Sequence, residues 1–183
     1  MKTTKTPIET NYLILGGARS GKSSYAEKIA RESNQEVVYI ATATVLDNEM
    51  EDRVAQHKND RPKHWLSVEE PISLADTLLK YMSPNKVVLV DCLTMWVNNL
   101  LMQEDESLLE TELNKLDEIL PKLKGTVIFV SNEVGMGIIP MGELSRKFVD
   151  ESGRLHQKLG QSLDNILMIV AGLALEVKGN KPF

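Results

Sequence analysis

The residues with the most evident chemical potential form one stretch near the N-terminus: Gly16-Gly17-Ala18-Arg19-Ser20-Gly21-Lys22-Ser23. The spacing is G-x-x-x-x-G-K-S, the pattern of a loop that wraps phosphate. Glycines let backbone N–H groups close on phosphate oxygens. A helix that starts at the loop turns its positive end toward the anion. Lys22 can reach the outer phosphates, and the Ser23 hydroxyl can ligate Mg²⁺. The motif carries this meaning only between a strand and a helix, and both are predicted. Tyr12–Leu15 is an apolar run of strand type, and Tyr25, Ala26, Ile29 and Ala30 share one face of a helix over Lys22–Glu32.

A phosphate loop calls for an acidic group at the end of another buried strand. Val87-Val88-Leu89-Val90-Asp91 supplies one, so Asp91 joins Ser23 as a candidate for the Mg²⁺ shell; the bland reading of Asp91 is a cap for the next helix. Ala41-Thr42-Ala43-Thr44 follows the apolar run Val37–Ala41, which puts hydroxyls on the ligand side of the sheet or in a plain hydroxyl-rich turn. Asp47–Asp60 has a helical pattern with Met50 and Val54 on one side, ended by Pro62. On that helix Arg53 and His57 share a face, with Arg61 extending the stripe. A neutral imidazole is available at pH 7 and can attack phosphorus as a nucleophile. A solvated charged face accounts for the same residues.

The elements that must position these groups alternate regularly. Further strands are predicted at His64–Val68, Val87–Val90, Thr126–Val130, Ile166–Ala171 and Ala174–Val177. Further helices are predicted at Ile72–Met82, 93–103, 106–120 and Phe148–Leu163. Strands that are apolar throughout and alternate with helices imply an α/β fold of the P-loop NTPase kind, a mostly parallel sheet with helices on both faces. Ligands in such sheets bind beyond the carboxyl ends of the strands. The segment Asn132–Pro140 follows one of these strands, and its glycines allow close backbone approach to phosphates or to an acceptor. Asp150-Glu151-Ser152-Gly153, which looks like a nucleotide-switch signature, falls inside a predicted helix and reads as helical surface.

Length and composition set the remaining bounds. At 183 residues the chain matches one domain, given about 150 residues per domain. The expected division is a flexible arm over residues 1–11 and a single catalytic domain over 12–183. Lys+Arg is 21 and Asp+Glu is 26, a net charge of −5 that gives no support to nucleic-acid binding. The one cysteine, Cys92, forms no intrachain disulfide or Cys-based zinc cluster and reads as a small buried residue. No apolar run is long enough to enter a membrane, and the first residues are polar, so a cytoplasmic location is expected.

The chain resembles the bifunctional adenosylcobinamide kinase / adenosylcobinamide-phosphate guanylyltransferase family of cobalamin biosynthesis, from Tyr12 to about Val177. The resemblance is carried by the phosphate loop, by Tyr39-Ile-Ala-Thr42, and by Asp47-x-Glu49-Met50 leading to Arg53-x-x-x-His57-x-x-x-Arg61-Pro62-x-x-Trp65. It continues in Asp91-Cys-Leu-Thr94, Asn98-Asn-Leu100, Ser131-Asn-Glu-Val-Gly-Met-Gly-Ile-Ile-Pro140, Gly153-Arg154 and Gly172. The resemblance implies that Gly16–Ser23 binds GTP or ATP, with Lys22 acting in catalysis. It implies that Thr42, Ala43 and Thr44, and Lys58, Asn59, Asp60 and Arg61, contact the nucleotide. Glu69 and Asp91 match further nucleotide-binding positions, and His57 carries a covalent guanylyl group. Some relatives have two adjacent histidines where this chain has Gln56-His57; the Arg-x-x-x-His-x-x-x-Arg spacing assigns the role to His57. The substrates implied are adenosylcobinamide, GTP and ATP with Mg²⁺, and the assembly implied is a homotrimer. The alternatives are a monofunctional P-loop small-molecule kinase and a nucleotide-dependent switch.

Overall fold

The structure is a computed structural model that describes residues 10–44 and 62–179. The expected helix over Asp47–Asp60, with His57 and Lys58–Arg61, lies outside the described residues, as does most of the N-terminal arm.

Strands β1 (Tyr12–Gly16), β2 (Glu36–Ala41), β3 (Leu66–Glu69), β4 (Lys86–Asp91), β5 (Thr126–Asn132), β6 (Asn165–Val170) and β7 (Leu173–Lys178) form one sheet in the order β3-β2-β4-β5-β1-β6-β7. All neighbours from β3 to β6 are parallel, and β7 returns antiparallel on β6. The described helices are α1 (Lys22–Glu32), α2 (Leu74–Tyr81), α3 (Leu93–Leu101), α4 (Ser107–Ile119) and α5 (Glu143–Ser162). No helix among the described residues is long and apolar enough to cross a membrane.

Side-chain alternation along the strands builds two cores. Leu13, Leu15, Val88, Val90, Val127 and Phe129 face α2 to α5, where Leu78, Trp96, Leu116 and Leu159 close the layer. Ile14, Val87, Leu89, Ile128 and Val130 face the other way, toward Ala26, Ile29 and Ala30 of α1, with Trp65 beside them. The central strands are buried on both faces, which explains their unbroken apolar runs. The same alternation assigns the strand ends. Asp91 falls on the α1 side with Leu89, and Asn132 falls there with Val130, whereas Ser131 faces α3 and α5.

Several predicted boundaries shift for identifiable reasons. The strand expected at His64–Val68 is Leu66–Glu69, because the buried Trp65 packs into the α1 core rather than pairing on the sheet edge. The helix expected from Phe148 begins at Glu143, five residues earlier, in charged turns that lie exposed and give no apolar signal. Strand β5 runs on through Ser131 and Asn132, polar residues that pair with Leu15 and Gly16. Within Asp150–Gly153, read as helical surface, Ser152 is buried at 1% exposure. Residues 10 and 11 end the expected loose arm but are tied down. Asn11 Oδ1 accepts the Val127 N–H at 2.9 Å, its own N–H reaches Asp164, and its carbonyl takes the Asn165 N–H.

Candidate active site

The phosphate loop leaves β1 at Gly16 and enters α1 at Lys22. Gly16 has no room for a side chain: a Cβ there would stand 2.5 Å from Ser20 Oγ and 2.7 Å from the Ile169 carbonyl. Gly21 takes φ +95°, in the left-handed region that favours glycine. No side chain among the described residues caps the start of α1, which leaves its first N–H groups for an anion. Lys22 folds back across the loop and donates to the Gly17 carbonyl at 3.3 Å. Gly17, Ala18 and Arg19 are exposed, while Ser20, Lys22 and Ser23 are half-buried. The Ser20 hydroxyl is buried and has no partner among the described residues.

The loop is fixed from both flanks. The Glu133 N–H bonds the Gly16 carbonyl at 3.0 Å, and the Gly172 N–H bonds the Ser20 carbonyl at 2.9 Å. Gly172 makes this contact from the β6–β7 turn, at φ +79°. Next to Gly16 in register stands Asn132, whose N–H is taken by Thr94 Oγ1 at 2.8 Å and whose buried Oδ1 has no partner among the described residues. Asp91 ends β4, two strands from β1. At about 4.8 Å per strand it is about 10 Å from the loop across the sheet, a span that a metal ion, its waters and phosphate oxygens can bridge. The Tyr39 hydroxyl donates to Asp91 Oδ2 at 3.0 Å and orients the carboxylate. Burial and the neighbouring Asp91 push the Cys92 thiol pKa up, so Cys92 is a thiol at neutral pH and not a nucleophile.

The remaining candidates spread outward. Thr42 is fully buried, and its hydroxyl is spent on backbone. It donates to the Cys92 carbonyl at 2.6 Å and accepts the Cys92 N–H at 2.9 Å, which rivets the end of β2 to the β4–α3 turn. Asn99 completes that rivet by donating to the Thr42 carbonyl at 2.7 Å. Thr44 is exposed and Ala43 half-buried. Glu69 ends the edge strand in register with Ala41, four strands from β1, and so about 19 Å from the loop at the same spacing. Strand order therefore keeps it away from the phosphate loop. The neighbouring Glu70 is a structural group. Its carboxylate accepts the N–H groups of Ile72 and Ser73 and the Thr77 hydroxyl, and so anchors the start of α2.

Sequence reasoning passed over His156. It projects from α5 to within 2.8 Å of Ser131 Oγ, beside Glu133. The available signal was its position on the buried stripe of α5 with Ser152, Leu155 and Leu159.

The arrangement is that of a nucleotide-binding crevice along the carboxyl edge of the sheet. Among solved structures, an ATPase of a type III secretion system of pathogenic bacteria superposes with a TM-score of 0.56 at 12% identity, over 91% of this chain and 56% of that one, a likeness of fold. Sequence relatives are nearer. The bifunctional adenosylcobalamin biosynthesis protein CobP of Pseudomonas aeruginosa is 50% identical over 167 residues, covering 91% of this chain and 96% of that protein. The corresponding protein CobU of Escherichia coli K12 is 37% identical over 179 residues, covering 91% and 98%. A family model described as cobinamide kinase / cobinamide phosphate guanyltransferase matches residues 12–177. On that match and on relatives of this identity and coverage, the chain belongs to the cobinamide kinase / cobinamide phosphate guanyltransferase family.

Proposed function

We propose that this protein phosphorylates adenosylcobinamide with ATP or GTP and then transfers GMP from GTP to adenosylcobinamide phosphate, giving adenosylcobinamide-GDP. The observation that carries this reading is the family match through residues 12–177, laid over an intact phosphate loop. Both activities are in the description of the family model, and the relatives are named bifunctional, so the monofunctional kinase is not favoured.

In the kinase reaction the triphosphate lies against the loop N–H groups and the α1 start. Lys22 swings from the Gly17 carbonyl to the outer phosphates and offsets the charge that spreads over the transferring oxygens. The acceptor is the aminopropanol hydroxyl of the corrinoid. Ser23 and Asp91 suit Mg²⁺, which takes few protein oxygens and keeps waters and phosphates in its shell. When bound, it supplies further neutralisation of phosphate charge. In the transferase reaction a ring nitrogen of His57 attacks the α-phosphorus of GTP and pyrophosphate leaves. The corrinoid phosphate oxygen then attacks the same phosphorus, the P–N bond breaks, and the imidazole is restored. Lys58–Arg61, Thr44 and Glu69 are assigned to the nucleotide on sequence grounds.

A homotrimer and a cytoplasmic location complete the reading. Support for assembly comes from apolar side chains left on the surface: Met136, Ile138, Ile139 and Met141 after β5, and Leu173, Leu175 and Val177 on β7. Such patches mark interaction sites. Sedimentation equilibrium tests the trimer. The function itself is tested by incubating the protein with GTP, Mg²⁺ and adenosylcobinamide and separating the corrinoids. Adenosylcobinamide-GDP is expected, whereas accumulation of the phosphate alone would leave only a kinase.

A further inference from the structure

Beside the phosphate loop runs a line of polar side chains that the reactions above leave without a role. Three elements contribute to it. Thr94 of α3 accepts the Asn132 N–H, and its Oγ1 lies 3.4 Å from Ser131 Oγ at the end of β5. Ser131 Oγ is 2.8 Å from His156 Nε2 of α5, and His156 Nδ1 lies 3.9 Å from Glu133 Oε2. Glu133 closes the line onto the loop through its N–H bond to the Gly16 carbonyl. The His156 side chain is 10% exposed and that of Glu133 19%.

Burial pulls the His156 pKa below the usual imidazole value, against the opposing pull of Glu133, so the ring is neutral at pH 7. A neutral ring has one N–H. Given to Ser131, it leaves a lone pair on Nδ1 toward Glu133; held on Nδ1, it points at Glu133 while Ser131 donates to Nε2. In both forms 3.9 Å exceeds hydrogen-bond length; the Gly135 N–H bonds Glu133 Oε1 at 2.5 Å, so Oε2 is the oxygen left to take a proton. The backbone of Glu133 is bonded to the loop that binds phosphate, which puts an acidic residue next to an anion site, a placement that costs repulsion and calls for a role. The service that phosphoryl transfer requires is an acceptor for the proton of the attacking hydroxyl.

We propose that Glu133 is the catalytic base of the kinase reaction and that His156, packed against the Oε2 side of its carboxylate, is a positioning residue. The inference rests on the kinase reading above. The alcohol oxygen bonds to the γ-phosphorus, and the bond from that phosphorus to the β–γ bridging oxygen breaks. The nucleoside diphosphate leaves with the electron pair, and the alcohol proton passes to Glu133 Oε2. Guanylyl transfer makes no such demand. Its attacking atoms are an imidazole nitrogen and a phosphate oxygen, both largely free of protons at pH 7.

The test measures two rates on the same full-length protein: phosphorylation of adenosylcobinamide, and covalent labelling by α-labelled GTP without acceptor. Glu133→Gln should lower kinase kcat by about 100-fold or more, the scale of general-base catalysis, with nucleotide KM little moved. The ratio of kinase rate to labelling rate should fall by the same factor. His156→Gln keeps a nitrogen for Ser131 and removes the one that faces Glu133. It should lower that ratio by about tenfold or more, as expected when a reacting group loses its alignment. Equal loss of both rates, a change in KM alone, or full kinase activity in Glu133→Gln would overturn the proposal. If Glu133→Gln shows no thermal transition, the same ratio in His156→Gln decides. A wild-type protein that phosphorylates nothing refutes the kinase reading itself, before any variant is compared.

Discussion

Replacing Thr42 with valine keeps the outline of the side chain and removes a hydroxyl that the structure spends on the Cys92 backbone. The Cys92 carbonyl retains the Trp96 N–H as a second donor, so the cost concentrates on the Cys92 N–H. A buried N–H without a partner costs about 1–3 kcal/mol. The added methyl group recovers about 0.8 kcal/mol of that through burial. A net loss of about 0.2–2 kcal/mol corresponds to a Tm lower by up to about 8 °C in a chain of this size. Thermal unfolding followed by circular dichroism measures it, and titration with a fluorescent GTP analogue measures binding alongside. Thr44→Val, at an exposed site, should leave Tm unchanged and weaken nucleotide binding if Thr44 touches the ligand. A Thr42→Val protein with wild-type Tm and lost nucleotide affinity would refute the division of labour between the two threonines.

Other outcomes follow from the same geometry. Lys22→Ala removes the cation that folds across the loop; kinase kcat should fall by about 100-fold or more, and GTP should cease to raise Tm, while apo-protein stability stays near wild type. His156 is held neutral by burial, so its folded pKa lies below the unfolded value of 6.5. As pH drops below about 6.5 the unfolded chain takes up this proton first. Stability is therefore lost progressively on the acid side, and urea unfolding of His156→Gln should show a weaker decline between pH 6.5 and the onset of carboxylate titration.

Much of this site was legible because its chemistry obeys spacing rules. The phosphate loop is a contiguous string whose strand and helix neighbours have their own periodicities, and all of it falls where it was expected. The strands of the parallel sheet announce themselves because burial on both faces removes polar residues from them. Edge elements were harder. Leu66–Glu69 is exposed on most of its length and carries no alternation, so the neighbouring Trp65 drew the boundary toward itself. Strand order is a further loss, since nothing local tells β1 to skip past β5 and β4 before β2 is laid down. That order is what separates Glu69 from the loop. The role of Thr42 was ambiguous for a related reason: a hydroxyl after a strand faces ligand or backbone according to what the next strand offers. His156 escaped because its partner Ser131 is 25 residues away and its own helix is otherwise an ordinary amphipathic one.

The central claim is that one chain performs both transfers, with His57 as the covalent carrier. Incubation with α-labelled GTP and Mg²⁺ in the absence of corrinoid, followed by denaturation, tests it most directly. The wild-type protein should retain an acid-labile label that adenosylcobinamide phosphate discharges, and His57→Ala should retain none. Undiminished label on His57→Ala, or no label on a wild-type protein that still converts adenosylcobinamide phosphate, would contradict the account.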